Sequence, residues 1–244
     1  MRARVLSALA VAAVAGAAVI AAVQHGSGEA SPRSPLPPAR PPVVLLIFDE
    51  FPLDDLLGPD GRIDAERYPN FAALARISTW FPNAHTVYDS TFKAVPMIMD
   101  SVLPKPGTAA DLRSHARSIY TLFAEHGYAV VDAEAGTAVC PPRICAGART
   151  RRPGVLERLA GGGRPDRLTR WIHQIRRDRP PTLHLQHALL PHEPWIYLPS
   201  GRQSRPSGGD PVPGINRPQG FGDPELTKHN EARHMLQAGF VDRQ

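Results

Sequence analysis

Cysteine is scarce in this sequence: two residues in 244, Cys140 and Cys145. A pair alone cannot make a four-ligand structural zinc site without two histidines nearby, and none is local. The two lie in Cys-Pro-Pro-Arg-Ile-Cys, a small loop stiffened by its prolines. In an exported protein such a pair reads as a disulfide, in a cytosolic one as free thiols. Also missing is any compact Lys/Arg run interleaved with aromatics, which argues against a nucleic-acid reader. The formal net charge is nonetheless +5, supplied mostly by arginines spread thinly over 143–179 and 202–217. That spread suits anionic substrates or anionic lipid, or else is a solvated basic surface.

The remaining composition is that of a globular chain, 42% hydrophobic and 21% charged, of a length that fits one α/β domain or most of one. The 27 prolines cluster at 32–42 and 191–224 and therefore mark loops and a linker. At the N-terminus, Arg2 and Arg4 precede an uncharged apolar stretch from Val5 to Val23. It is long enough to span a bilayer and also reads as a secretory signal. Either way the rest of the chain is exported, to the extracytoplasmic side of the cell membrane or beyond it. A signal-anchor over residues 1–23 is preferred, because the stretch is longer than a usual signal core and no convincing small-x-small site stands just after it. Residues 24–41 are a Pro-rich linker that cannot bury a core and acts as an extended spacer. The folded domain then occupies 42–244.

That domain is organised around Val-Val-Leu-Leu-Ile-Phe-Asp-Glu, residues 43–50. An unbroken apolar run rich in β-branched residues reads as a strand of a parallel sheet, buried on both faces. Ligands of open α/β sheets bind outside the carboxyl ends of the strands, where Asp49 and Glu50 stand. Two adjacent carboxylates call for a cation between them or a shared proton, unless the pair merely caps a turn. Hard divalent metals, and zinc, accept such oxygens.

Leu53 to Leu57 reads as a short helical turn. A helix starts at Tyr68-Pro69, with Phe71, Leu74 and Ala75 on one face. Trp80 to Val87 reads as a second strand. Asp89, Ser90 and Thr91 then precede an apolar helical pattern, so a hydroxyl stands at a helix N-terminus, where dipole and free N–H groups favour an anion. A metal there would make it a nucleophile; the plain alternative is a cap. Ser118 to His126 reads as a helix and Tyr128 to Val131 as a strand. Pro165 to Arg179 reads as a helix with Leu168, Trp171, Ile172 and Ile175 as its core stripe. Thr182 to Leu190 reads as a strand placing Leu183, Leu185 and His187 on one side, with His187 and His192 at or past its end. Residues 199–223 form a long loop, in which Arg202 or Arg205 could meet anionic groups. Pro224 to Val241 returns to helix, with Leu226, Met235, Leu236, Gly239 and Phe240 as its apolar residues.

A strand ending in acids, then Pro-Asn-Phe-x-x-Leu-Ala at 69–75, Phe-x-Asn-Ala at 81–84 and Thr-x-x-Ala-Val-Pro at 91–96, resembles the sulfatase-like branch of the alkaline phosphatase superfamily. More closely it resembles the membrane-anchored phosphoglycerol and phosphoethanolamine transferases. The resemblance implies an α/β fold with a mostly parallel central sheet flanked by helices. It also implies a divalent metal (zinc, manganese or calcium) on Asp49, Glu50 and Thr91. Thr91 would be the nucleophile, with Ser90 as the fallback, and His187 and His192 would bind the substrate anion. The Cys/Ser-x-Pro-x-Arg element of formylglycine sulfatases is absent, as is the Asp-His-Gly that completes the family's metal site. The expectation is therefore the N-terminal portion of such a domain, with weak metal binding and little turnover. The expected activity is hydrolysis or transfer of phosphate or sulfate esters, the ester belonging to a lipid head group, a polymer or a glycan. The alternative is a non-catalytic surface protein of degenerate fold that binds glycans or anionic polymers.

Overall fold

The structure is a computed structural model that describes residues 40–134, 136–145, 163–176, 180–204 and 222–244. The unit considered is Pro41–Gln244. The N-terminal apolar segment, nearly all of the linker, Arg179 and most of the 199–223 loop, Arg205 included, lie outside the described residues. Among the described residues no helix is long and apolar enough to cross a membrane.

Three strands form one parallel sheet: β1 (Val43–Asp49), β2 (Ala129–Ala133) and β3 (Thr182–Pro191), in the order β1-β3-β2. Every residue of the central strand β3 is buried. Its central place in the sheet buries even His184, Gln186 and His187, whereas the continuous apolar run of β1 lies at the sheet edge and is only partly buried, with Val44 exposed. Among the described residues, five α-helices accompany the strands: α1 (Pro69–Ile77), α2 (Thr91–Asp100), α3 (Ile119–Glu125), α4 (Arg164–Ile172) and α5 (Pro224–Asp242). The two sheet faces bury separate cores. Val43, Leu45 and Ile47 pack with Leu183 and Leu185 under Val95 and Met99 of α2 and Tyr120 of α3. Leu46 and Phe48 pack with Ala188 and Leu190 under Leu168 and Trp171 of α4 and Phe240 of α5. Alternate β1 residues therefore feed opposite layers, as the period of two requires.

The α/β class and the parallel sheet are as expected; several local expectations are not. Trp80 to Val87 is no strand but a run of turns, with Phe81 71% exposed. Pro82 withholds a ladder donor. Thr86 Oγ1 takes up local bonds instead, donating to the Tyr88 carbonyl. Leu74 is 56% exposed, because α1 turns Ala72 and Phe71 inward and carries Leu74 round to the other side. Ile172 is exposed at the last turn of α4, while Leu168 and Trp171 are buried and Ile175 half-buried. In α5, Leu236 is exposed and the buried face is partly polar, at Gln237 and Asp242. The Asp242 carboxylate caps α1 across the fold, accepting from the Phe71 N–H at 2.7 Å and the Asn70 N–H at 3.2 Å. Two of that helix's orphan donors are thereby satisfied where no local side chain does so.

Candidate active site

The strand ends build the site. β1 and β3 keep a regular register from Val43↔Leu183 to Phe48↔Ala188, then slip so that Asp49 faces Pro191. Such an irregularity bends the strand end and re-aims its side chains. Asp49 points to Thr91, the first residue of α2, with Thr91 Oγ1 3.2 Å from Asp49 Oδ1. Ser90 is the N-cap of α2, and its side chain makes no capping bond. On the other flank of Asp49, Oδ2 lies 3.3 Å from Nε2 of His187. The cleft over these groups has a volume of about 390 Å³, and Asp49, Glu50, Tyr88, Ser90, Thr91 and His187 line it.

Glu50 goes elsewhere. Its φ of 55° is left-handed, which disfavours any residue with a Cβ and costs on the order of 1–2 kcal/mol. His234 of α5 holds this conformation by bonding the Glu50 carbonyl at 2.8 Å, while its other nitrogen lies 3.1 Å from Asp55. The Glu50 carboxylate accepts the Glu193 N–H at 3.2 Å and lies 3.2 Å from His192 Nε2. The two adjacent carboxylates thus each take a histidine of their own, Asp49 with His187 and Glu50 with His192. This separation answers the like-charge problem the sequence posed. It also means that Asp49 and Glu50 join no third His, Cys, Asp or Glu donor within a common 4.8 Å among the described residues.

His187 is fully buried and its second nitrogen, Nδ1, lies 2.9 Å from Glu134 Oε1. Burial alone would lower its pKa, but contact with Asp49 and Glu134 and their charges raise it to about 9. Burial pushes Asp49 and Glu134 upward, and His187 outweighs it, so both carboxyls are held below their usual range. The result is a carboxylate–imidazolium–carboxylate row ending at the Thr91 hydroxyl. The sequence reading placed His187 on the substrate; its ring instead stands against Asp49. His192 is the histidine at the rim, 17% exposed.

The loop carrying His192 is tied from below. Two cis peptides occur in it, Leu190–Pro191 and Glu193–Pro194. The buried Arg164 guanidinium donates to the carbonyls of Leu189, His192, Glu193 and Pro194. Its pKa falls to about 10 through burial, so it stays cationic at neutral pH. Gln237 donates to the Pro191 and His192 carbonyls and accepts from the N–H groups of Ile196 and Tyr197.

Sequence reasoning missed Glu134, Arg164, His234 and Gln237. Only Glu134 carried a readable signal: it directly follows β2, at the same sheet end as Asp49. Gly136, two residues on, closes in on the site. A Cβ there would stand 3.3 Å from Thr91 Cγ2 and 3.4 Å from the His187 ring. Gly136→Ala is therefore expected to displace the Thr91 side chain, with a fall in any Thr91-dependent rate larger than its stability loss of about 1–2 kcal/mol. Parallel kinetics and urea melts check this.

Cys140 and Cys145 form a disulfide with Cα atoms 6.2 Å apart. Together with Asp132 they are the one group of three His, Cys, Asp or Glu donors within 4.8 Å of one another among the described residues. With the sulfurs bonded to each other, neither is a thiolate ligand. Asp132 also accepts from the Tyr120 hydroxyl at 2.8 Å and the Glu134 N–H at 3.1 Å.

For a divalent cation in the main cleft, the donor chemistry fits. An ionised carboxylate and a hydroxyl 3.2 Å apart, Asp49 and Thr91, are the hard oxygens such ions take, while the Glu50 carboxylate is engaged with His192 and the Glu193 N–H. Comparison with protein-family models, with curated proteins and with solved structures finds no match.

Proposed function

We propose that this chain is an exported, membrane-tethered hydrolase or transferase of phosphate or sulfate esters with Thr91 as its nucleophile. One observation carries the reading: the Thr91 hydroxyl stands at a helix N-terminus, 3.2 Å from an ionised, buried-side carboxylate, at the carboxyl end of a parallel sheet. The resemblance in the strand-acid and Thr-x-x-Ala-Val-Pro segments supports the same assignment. A divalent ion on Asp49 and Thr91, with Glu50 beside them, would lower the hydroxyl's pKa and neutralise ester oxygens.

The chain's own residues do the rest. Thr91 Oγ1 attacks the phosphorus or sulfur in line, its proton passing to Asp49, while the ester bond opposite breaks and the leaving alkoxide departs and takes a proton from water. The unsatisfied first N–H groups of α2 meet the charge that gathers on the non-bridging oxygens. His187 holds the Asp49 carboxylate in place. His192, fixed by Arg164 and Gln237, orients the anionic group at the rim. Water or an acceptor hydroxyl then releases the threonyl ester. The disulfide supports an oxidising compartment, in keeping with an exported domain.

The test is release of nitrophenol from bis(p-nitrophenyl) phosphate by the full chain, with Mn²⁺ or Zn²⁺ and with chelator. Slow turnover that needs the metal and is silenced by chelation is expected. A chain that binds sulfated or phosphorylated polymer tightly and shows no such turnover at any metal concentration would replace this reading with the binding role.

A further inference from the structure

We propose that Glu134 is a positioning residue of the same site: it fixes the His187 ring so that the ring's far nitrogen faces the Asp49 carboxylate. The inference rests on the reading of Asp49 and Thr91 as the reactive pair and extends it to the loop that follows β2. Three observations carry it.

First, Glu134 is held as few side chains are. Its carboxylate accepts from the Gly136 N–H and the Thr137 N–H, both at 2.6 Å, and from the Thr137 hydroxyl at 2.7 Å, with only 4% of the residue exposed. A carboxylate so surrounded by donors is fixed in position and ionised. Nδ1 of His187, 2.9 Å away, must therefore carry a proton toward it.

Second, fixing Nδ1 fixes the ring. Nε2 is left buried, 3.3 Å from Asp49 Oδ2, with no well-aligned hydrogen bond of its own. A carboxylate behind a histidine, setting its tautomer and orientation, is a recurrent way of aiming the group in front. Here the group in front is the carboxylate that touches Thr91.

Third, the loop is shaped for this contact. Gly136 approaches both Thr91 and His187 so closely that a methyl group would crowd them. The backbone of the loop, the imidazole and the nucleophile thus pack as one unit.

The experiment uses the full chain and compares Glu134→Gln with Thr137→Val. Every neighbour named above presents a donor to Glu134, so the amide of Gln must turn its NH₂ against one of them. Thr137→Val removes one loop bond and leaves the imidazole contact. In the wild type, ¹⁵N-edited NMR is expected to show a slowly exchanging low-field proton on His187 Nδ1. That signal is lost or shifts upfield in Glu134→Gln and persists in Thr137→Val. On the chromogenic diester, kcat falls about 10–100-fold in Glu134→Gln with KM little changed, and Thr137→Val stays near wild type. A wild-type ring without the Nδ1 proton overturns the proposal, as does a ring signal that the two variants alter alike. The wild-type spectrum decides even if Glu134→Gln fails to fold. The NMR outcome does not depend on turnover. A chain that cleaves no ester would defeat the functional reading and leave this test standing, and the reverse also holds.

Discussion

Thr91→Ala is expected to remove the metal-dependent rate, by about 10³-fold or down to background, while the fold persists. The hydroxyl hydrogen-bonds the Asp49 carboxylate from the first residue of α2, a position no neighbouring hydroxyl shares. Ser90 is the nearest substitute, but it is the N-cap residue and has extended backbone angles, φ −123° and ψ 129°. The substitution removes one hydrogen bond and one methyl group from a half-buried site, about 1 kcal/mol in stability. Thr91→Ser keeps the hydroxyl and is expected to keep most of the rate. Steady-state kinetics with urea melts on both variants separate chemistry from folding. If Thr91→Ala retained the full metal-dependent rate, the covalent threonine step would be wrong, and an activated water would have to take its place.

The second large effect is on stability. Arg164→Met is expected to cost about 3–5 kcal/mol, a large share of the ~5–15 kcal/mol that holds a typical domain folded. The guanidinium serves the carbonyls of Leu189, His192, Glu193 and Pro194, and its planar face lies 5.4 Å from the Tyr197 ring centre. Methionine fills much of the volume and strands those carbonyls. Arg164→Lys is expected to recover less than half of the loss, because an ammonium is a point donor and cannot span four acceptors. The urea midpoint, at unchanged slope, reads the difference. A change under about 1 kcal/mol in Arg164→Met would mean that Gln237, which also bonds the Pro191 and His192 carbonyls, suffices to hold the loop.

The sequence by itself determined the frame. The apolar run 43–48 and the alternating segment 182–190, with Leu183 and Leu185 on one side, read as strands for local reasons, and they pair in parallel. The acids at the end of the first run, and the threonine opening an apolar helix pattern, were legible for the same reason: strand ends and helix starts are local and have local signatures. Trp80 to Val87 misled because its aromatic and β-branched residues are interrupted by Pro82 and Asn83, which favour a turn, and among the described residues no strand pairs with it.

What only the tertiary structure decided is which charge meets which. The sequence set Asp49 and Glu50 side by side and suggested one cation for both. A slipped register and a left-handed Glu50, held by His234 from a helix 184 residues away in sequence, send them to different histidines. Nothing local marks Arg164 for the four carbonyls it serves, or Glu134 for the imidazole of His187. Long-range pairing of this kind leaves no periodicity in the chain, because it depends on where three strand ends and two helix faces meet.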